Sequence, residues 1–176
     1  MHGVVAQVFF ATLVAIGTLL STSWRQAPAP TVSGHVLTDR FLGTLLIVLL
    51  VGQLVLGALV RQYFTWAVMA HITIAALVLL LAVAAGARAW GLYAHLPLLR
   101  RLGQALLVVV VLQALLGGIA LMAHGTQRPA NPPQGLQVVV TTAHQIVGAV
   151  LLACAVALRL WENRLIEPEP APVQPT

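Results

Sequence analysis

The sequence predicts an all-α, polytopic membrane protein of five transmembrane helices, in which helices two to five form a four-helix bundle preceded by one extra N-terminal helix. Three observations predict it. The 176 residues are 60% hydrophobic and 7% charged, whereas a soluble domain carries about 25% charged residues. Five apolar runs, at 4–20, 41–60, 66–90, 102–122 and 136–161, reach or approach the roughly 20 helical residues that cross a hydrocarbon core. All four tryptophans (Trp24, Trp66, Trp90 and Trp161) fall at the ends of those runs, where amphipathic rings anchor at the membrane interface.

The first run, within residues 1–22, reads as a mature helix: it lacks the basic start of a signal peptide and belongs to the repeat described below. Residues 23–40, with Pro28, Pro30 and Gly34, read as an irregular cytoplasmic loop. Residues 41–161 hold the bundle; within them, 91–101 reads as a short interfacial segment broken at Pro97, and 123–135 as a loop rich in Pro and Gly. Residues 162–176, with four prolines, read as a disordered cytoplasmic tail. No span has a charge in its middle and none is expected to contain a carboxylate. Nine Arg and no Lys stand against one Asp and three Glu, a net +5. The arginines sit at span ends, which points to topology and lipid head groups rather than nucleic acid. Arg25, Arg40, Arg88, Arg100, Arg101, Arg159 and Arg164 lie on one face, Arg61 and Arg128 on the other. Seven against two puts the first face in the cytoplasm and the N-terminus outside. The single Cys154 excludes an intramolecular disulfide and a cysteine-based metal site.

The chain repeats itself. GQLVLGAL (52–59) matches LQALLGGI (112–119), and AHITIAALVLLLAV (70–83) matches AHQIVGAVLLACAV (143–156). The unit is a Gln-x-x-x-Gly helix followed by a helix that opens with Ala-His. MHGVVAQVFFATLVA (1–15) resembles a third His-led helix without its Gln-x-x-x-Gly partner. The chain is therefore expected to begin halfway through a unit, from a longer ancestor or because a further helix is encoded upstream. His2, His71 and His144 each lie near the outer end of an inward-running helix, and each is followed four residues later by Ala6, Ala75 or Gly148. Residues i and i+4 share a helix face, so each imidazole has a bare patch one turn below it. Ala82 and Ala155 continue that stripe in the second and third copies, with Leu13 at the matching place in the first.

An ionisable side chain inside a membrane helix points to function. His71 and His144, at equal depth on alternate helices of a bundle, can face one another across its core, where bundles place cofactors. Two neutral imidazoles on opposite faces of a macrocycle, with small residues making room, are what ligation of a haem iron requires. Arg61 is placed to meet a haem propionate. Gln53 and Gln113 would hydrogen-bond a cofactor or a ligand histidine. The plainer readings are that the histidines bond a backbone carbonyl or a threonine such as Thr141 or Thr142, that the small residues serve helix packing, that the glutamines are interhelical glue, and that Arg61 and Arg128 are interfacial charges. His35, His95 and His124 lie in or beside loops and read as solvated.

In MHGVVAQVFFATLVA, in QLVLGALVR followed by MAHITIAALVLLL, and in LQALLGGI followed by TTAHQIVGAVLL, residues 1–161 resemble the haem A synthase family, cytochrome oxidase assembly enzymes of bacteria and mitochondria. The resemblance implies an eight-helix protein of two four-helix halves. Helices two to five here resemble the C-terminal half, with His71 and His144 as ligands of haem b. Helix one resembles the last helix of the N-terminal half, and His2 matches a ligand of a second haem site. That half is the one in which a haem O methyl group is oxidised to the formyl of haem A. Three family helices have no counterpart here, nor do the first histidine of the N-terminal pair, an acidic residue of its first outer loop, and the paired outer-loop cysteines of many members. The loop between spans two and three shrinks to about five residues. The expectation is an integral membrane protein of a bacterial inner membrane that binds haem b and acts in haem A biosynthesis and cytochrome oxidase assembly. If catalytic, it is an oxidoreductase with haem O as substrate and haem A as product. Its expected partners are membrane lipid, haem O synthase and oxidase subunits, with no nucleic acid. Two other readings stand beside it: a non-catalytic b-type electron carrier or assembly factor, and a cofactor-free structural subunit.

Overall fold

The computed structural model describes residues 2–62, 65–125 and 135–170. Arg128, the side chain of His124, residues 126–134 of the outer loop and the tail from 171 lie outside the described residues. The chain is an all-α polytopic membrane protein. Five helices, α1 (His2–Leu20), α3 (Val36–Val60), α4 (Thr65–Gly91), α5 (Pro97–Gly125) and α6 (Gly135–Leu165), are long and apolar enough to cross a membrane. A short α2 (Thr22–Arg25) and two two-residue strands, β1 (Thr31–Val32) and β2 (Ile166–Glu167), complete the described elements.

α3 packs on α4, α4 on α5, α5 on α6, and α6 closes the ring on α3, so α4 and α6 stand diagonally. α1 lies outside this ring, mainly against α6. Leu80, Met69, Leu115 and Ile146 are exposed, as expected where the surrounding solvent is lipid rather than water. The inward stripe of α3 reads Asp39, Gly43, Leu46, Leu50, Gln53, which is polar at both ends and apolar between. Val78, Ala82, Ala85 and Ala89 of α4 and Leu151, Leu152, Ala155 and Leu158 of α6 fill the middle and the arginine-bearing end. Ala82 and Ala155 are thus core residues, whereas Leu13 of α1 is exposed.

The tightest crossing joins α4 to α5. A Cβ at Gly103 would stand 2.6 Å from the carbonyl oxygen of Gly86, and one at Gly86 3.0 Å from that of Gly103. Small residues here let two backbones touch.

Several sequence expectations are corrected. The spans run longer than the apolar runs, because polar residues at their ends stay helical. Pro97 opens α5 rather than breaking a segment, consistent with the missing N–H of proline at a first helical position. α3 starts at Val36, inside the loop expected over 23–40, which also contains β1 and all of α2 but its first residue. The tail expected from 162 starts later, since α6 continues to Leu165 and β2 pairs in parallel with β1 through Thr31↔Ile166 and Val32↔Glu167. Arg40 Nη2 donates to the Ile166 carbonyl (3.1 Å) and Arg164 to those of Ala27 and Pro28, which fixes this pairing. Two carboxylates lie inside membrane helices, Asp39 of α3 and Glu162 of α6, both buried. Trp66 and Trp90 are exposed as interfacial anchors should be, but Trp161 is buried edge-on against Trp24, ring centroids 5.0 Å apart.

Candidate functional site: a histidine pair across the bundle

α4 and α6 run parallel on the diagonal, so His71 and His144, each near the start of its helix, arrive at the same level. Their ring centroids are 6.5 Å apart with planes at 76°. One metal ion bound to a nitrogen of each ring at about 2.0 Å would set the centroids roughly 6.3 Å apart. Nδ1 of each ring is buried without a hydrogen-bond partner, and a buried polar atom is rarely left so. Each Nδ1 lies near the glycine of a neighbouring helix, Gly57 or Gly117, so it is the spacing of the rings that is compatible with a shared ligand between them.

The Gln-x-x-x-Gly helices build the walls. A Cβ at Gly57 would lie 3.5 Å from Cε1 of His71, and a Cβ at Gly117 would lie 3.0 Å from Cε1 of His144. Each imidazole thus rests on bare backbone of the neighbouring helix. These glycines were legible in the sequence only as repeat signature; their spacing of four from each glutamine was the available signal. Gly148 has a different use. The space beside it holds the Gln113 amide, whose Nε2 would stand 3.0 Å from a Cβ there. The bare patch expected below His144 is therefore filled by a side chain, while Ala75 below His71 is half-buried.

The two glutamines do different things. Gln53, 9% exposed, donates from Nε2 to the backbone carbonyl of His71 at 3.0 Å and ties α3 to α4. Gln113 places its Nε2 3.5 Å from Nε2 of His144. Thr141, a candidate partner for the histidines, donates instead to carbonyls of its own helix, Gln137 and Val138. Arg61 caps the histidine end of α3 and is exposed. His2 is exposed at the start of α1, outside the ring of helices. His35 and His95 are exposed at the opposite end, His95 beside Tyr93. Among the described residues no group of three or more His, Cys, Asp or Glu could hold a metal ion, so any metal chemistry here rests on the pair.

Sequence reading missed a second cluster, at the arginine end. Asp39 accepts from Arg88 Nε (2.6 Å) and from the Tyr93 hydroxyl. The Tyr93 phenol is pushed up to about 12, first by burial and then by its bond to Asp39, so it remains a donor at physiological pH. Arg159 Nε donates to Thr44 Oγ1 at 3.0 Å. The missed signal was the pair of acidic residues at span ends, read only as loop charges.

Fold and site define a polytopic helical membrane protein whose bundle carries a facing pair of intramembrane histidines. Comparison with protein-family models, curated proteins and solved structures gives no match to the chain.

Proposed function

We propose that this chain is a membrane haem protein in which His71 and His144 hold one haem b between α4 and α6. The observation that carries the reading is the pair itself: two half-buried imidazoles, each with a buried Nδ1 that has no hydrogen-bond partner, across a bundle at a spacing that suits one iron. Bound haem supplies reversible one-electron chemistry at iron. The protein's own part is positional. Gly57 and Gly117 keep side chains away from the rings, Gln53 holds the His71 backbone, and Gln113 lies against His144. Ala75 leaves a small residue below His71, Gly148 makes room for the Gln113 amide, and Arg61 offers a cation to a propionate at the histidine end.

If His71 and His144 both held the iron, a haem here would supply electron transfer and would not bind a substrate at the metal. That favours electron transfer over oxidation at this haem. The resemblance to the haem A synthase family extends the reading. The bundle serves as the haem b half of an oxidoreductase that converts haem O to haem A in cytochrome oxidase assembly, in a bacterial inner membrane with the N-terminus outside. A haem b carrier or assembly factor is the second reading, favoured by the absence of any carboxylate among the described residues around the pair.

Reduced-minus-oxidised spectra of the detergent-purified chain test the haem. A b-type signal is expected, lost in His71→Ala and His144→Ala; no signal, or one undiminished in both variants, would leave the cofactor-free subunit. Haem extraction from cells that also make haem O separates the other two. Formation of haem A supports the enzyme, and haem O alone supports the carrier.

A further inference from the structure

A groove of about 220 Å³ runs between α1 and α3 over α6. Leu152 and Val156 of α6 form its floor, Ile47 and Val51 of α3 one wall, and Ala11 and Ala15 of α1 the other. α1 rests mainly on α6 rather than on α3, and its two alanines, four residues apart on one helix face, leave the space open. Thr12 also lines the groove, but its hydroxyl donates to the Val8 carbonyl of its own helix at 2.9 Å. The lining is therefore apolar and carries no charge. In a bilayer such a space takes hydrocarbon. A helix, about 10–12 Å across with its side chains, does not enter it, whereas a single acyl chain does.

Toward the arginine end the groove meets a cation. Ile47 is three residues from Thr44 on α3, and Val156 is three residues from Arg159 on α6, a rise of about 4.5 Å in each case. Arg159 Nε donates to Thr44 Oγ1 at 3.0 Å, an exposed contact that joins α6 to α3. Its Cδ lies 2.9 Å from where a Cβ of Gly43 would stand, so the stem packs on bare backbone of α3. Nη1 has no hydrogen-bond partner, and among the described residues the one ion pair is Arg88–Asp39, so Arg159 keeps its charge unpaired. Glu162, one turn on, is buried on the bundle side against Gly43. Arg159 stands six residues before the end of α6, within reach of the interface for an arginine that extends its head toward the lipid phosphates. Seven arginines face four acidic side chains at this end of the chain, a balance that attracts anionic lipid. We propose that the groove is a binding site for one anionic phospholipid, with an acyl chain between α1 and α3 and the phosphate on Arg159 beside Thr44. The lipid fills the seam between α1 and the ring of helices, and the site shares no residue with the histidine pair.

Native mass spectrometry of the full chain in detergent, with phosphatidylglycerol or phosphatidylcholine added, reads this directly. One phosphatidylglycerol per chain is expected, bound several-fold more tightly than phosphatidylcholine. Arg159→Gln should lose that preference, and Arg159→Lys should keep most of it, since the cation remains. Ala15→Phe fills the groove and should lower the binding of both lipids several-fold. Arg100→Gln, an exposed arginine of α5 at the same end, should bind as wild type does. Equal binding of the two lipids by wild type would overturn the proposal, as would a preference that survives Arg159→Gln or binding undiminished in Ala15→Phe. An equal loss in Arg100→Gln would also overturn it, by assigning the preference to the whole arginine end. So would a lipid-free dimer, with a second copy of the chain covering the groove.

Discussion

At the residue scale, Gly57 and Gly117 occupy equivalent repeat positions but differ in tolerance. A methyl at 117 falls 3.0 Å from the His144 ring, and one at 57 falls at an ordinary 3.5 Å from that of His71. Gly117→Ala should therefore push the imidazole aside, with an overpacking cost of about 1–3 kcal/mol, and lower haem retained per purified chain several-fold. Gly57→Ala should stay close to wild type, and equal losses in both would show that the rings do not rest on these glycines as described. Gln53→Leu removes the tie to the His71 carbonyl and should cost about 1 kcal/mol of stability, seen as a lower midpoint in denaturation from detergent. The histidines and glutamines were legible in the sequence because an intramembrane polar residue is conspicuous. The direction of each amide was not: whether Gln53 meets a ring or a carbonyl depends on the rotation of α3 against α4, which tertiary packing sets.

At the element scale, α4 and α5 approach through Gly86 and Gly103, where backbone meets backbone. Gly103→Val cannot be absorbed by a side-chain shift and should destabilise the chain by about 2–4 kcal/mol. Gly52→Ala, on α3 with nothing within 4 Å of the added Cβ, should be neutral or slightly stabilising, since alanine is the better helix former. Unfolding monitored by helical circular dichroism would compare them. A harmless Gly103→Val would mean that the crossing is looser than drawn. The spans themselves were readable, since 20-residue apolar runs have few alternatives. Their ends were not. Asp39, Arg40 and Glu162 look like loop residues by polarity, yet stay helical: Asp39 is bonded by Arg88 and Tyr93, Arg40 reaches the Ile166 carbonyl, and Glu162 packs against Gly43. The β1–β2 pairing brings together residues more than 130 positions apart, which no local pattern encodes.

At the scale of the whole molecule, the bundle is apolar in its middle and polar at both ends, histidines at one and the Asp39–Arg88–Tyr93 network with Glu162 at the other. Arg88→Gln leaves the Asp39 carboxylate buried without its cation, a loss of about 2–4 kcal/mol. Asp39→Asn combined with Arg88→Gln should recover most of it, because neither partner is then left charged and alone. A double variant as unstable as the sum of the single ones would show that the two residues are not coupled. The repeat made the histidine end legible and left the arginine end unread, since its residues recur in no second copy.

Electron paramagnetic resonance of the oxidised, purified chain tests the central claim most directly. Ligation by both His71 and His144 predicts a low-spin ferric haem in wild type, replaced by high-spin iron or by haem-free protein when either histidine becomes alanine. A wild-type chain that carries no haem, or that keeps the same low-spin signal after either substitution, would contradict it.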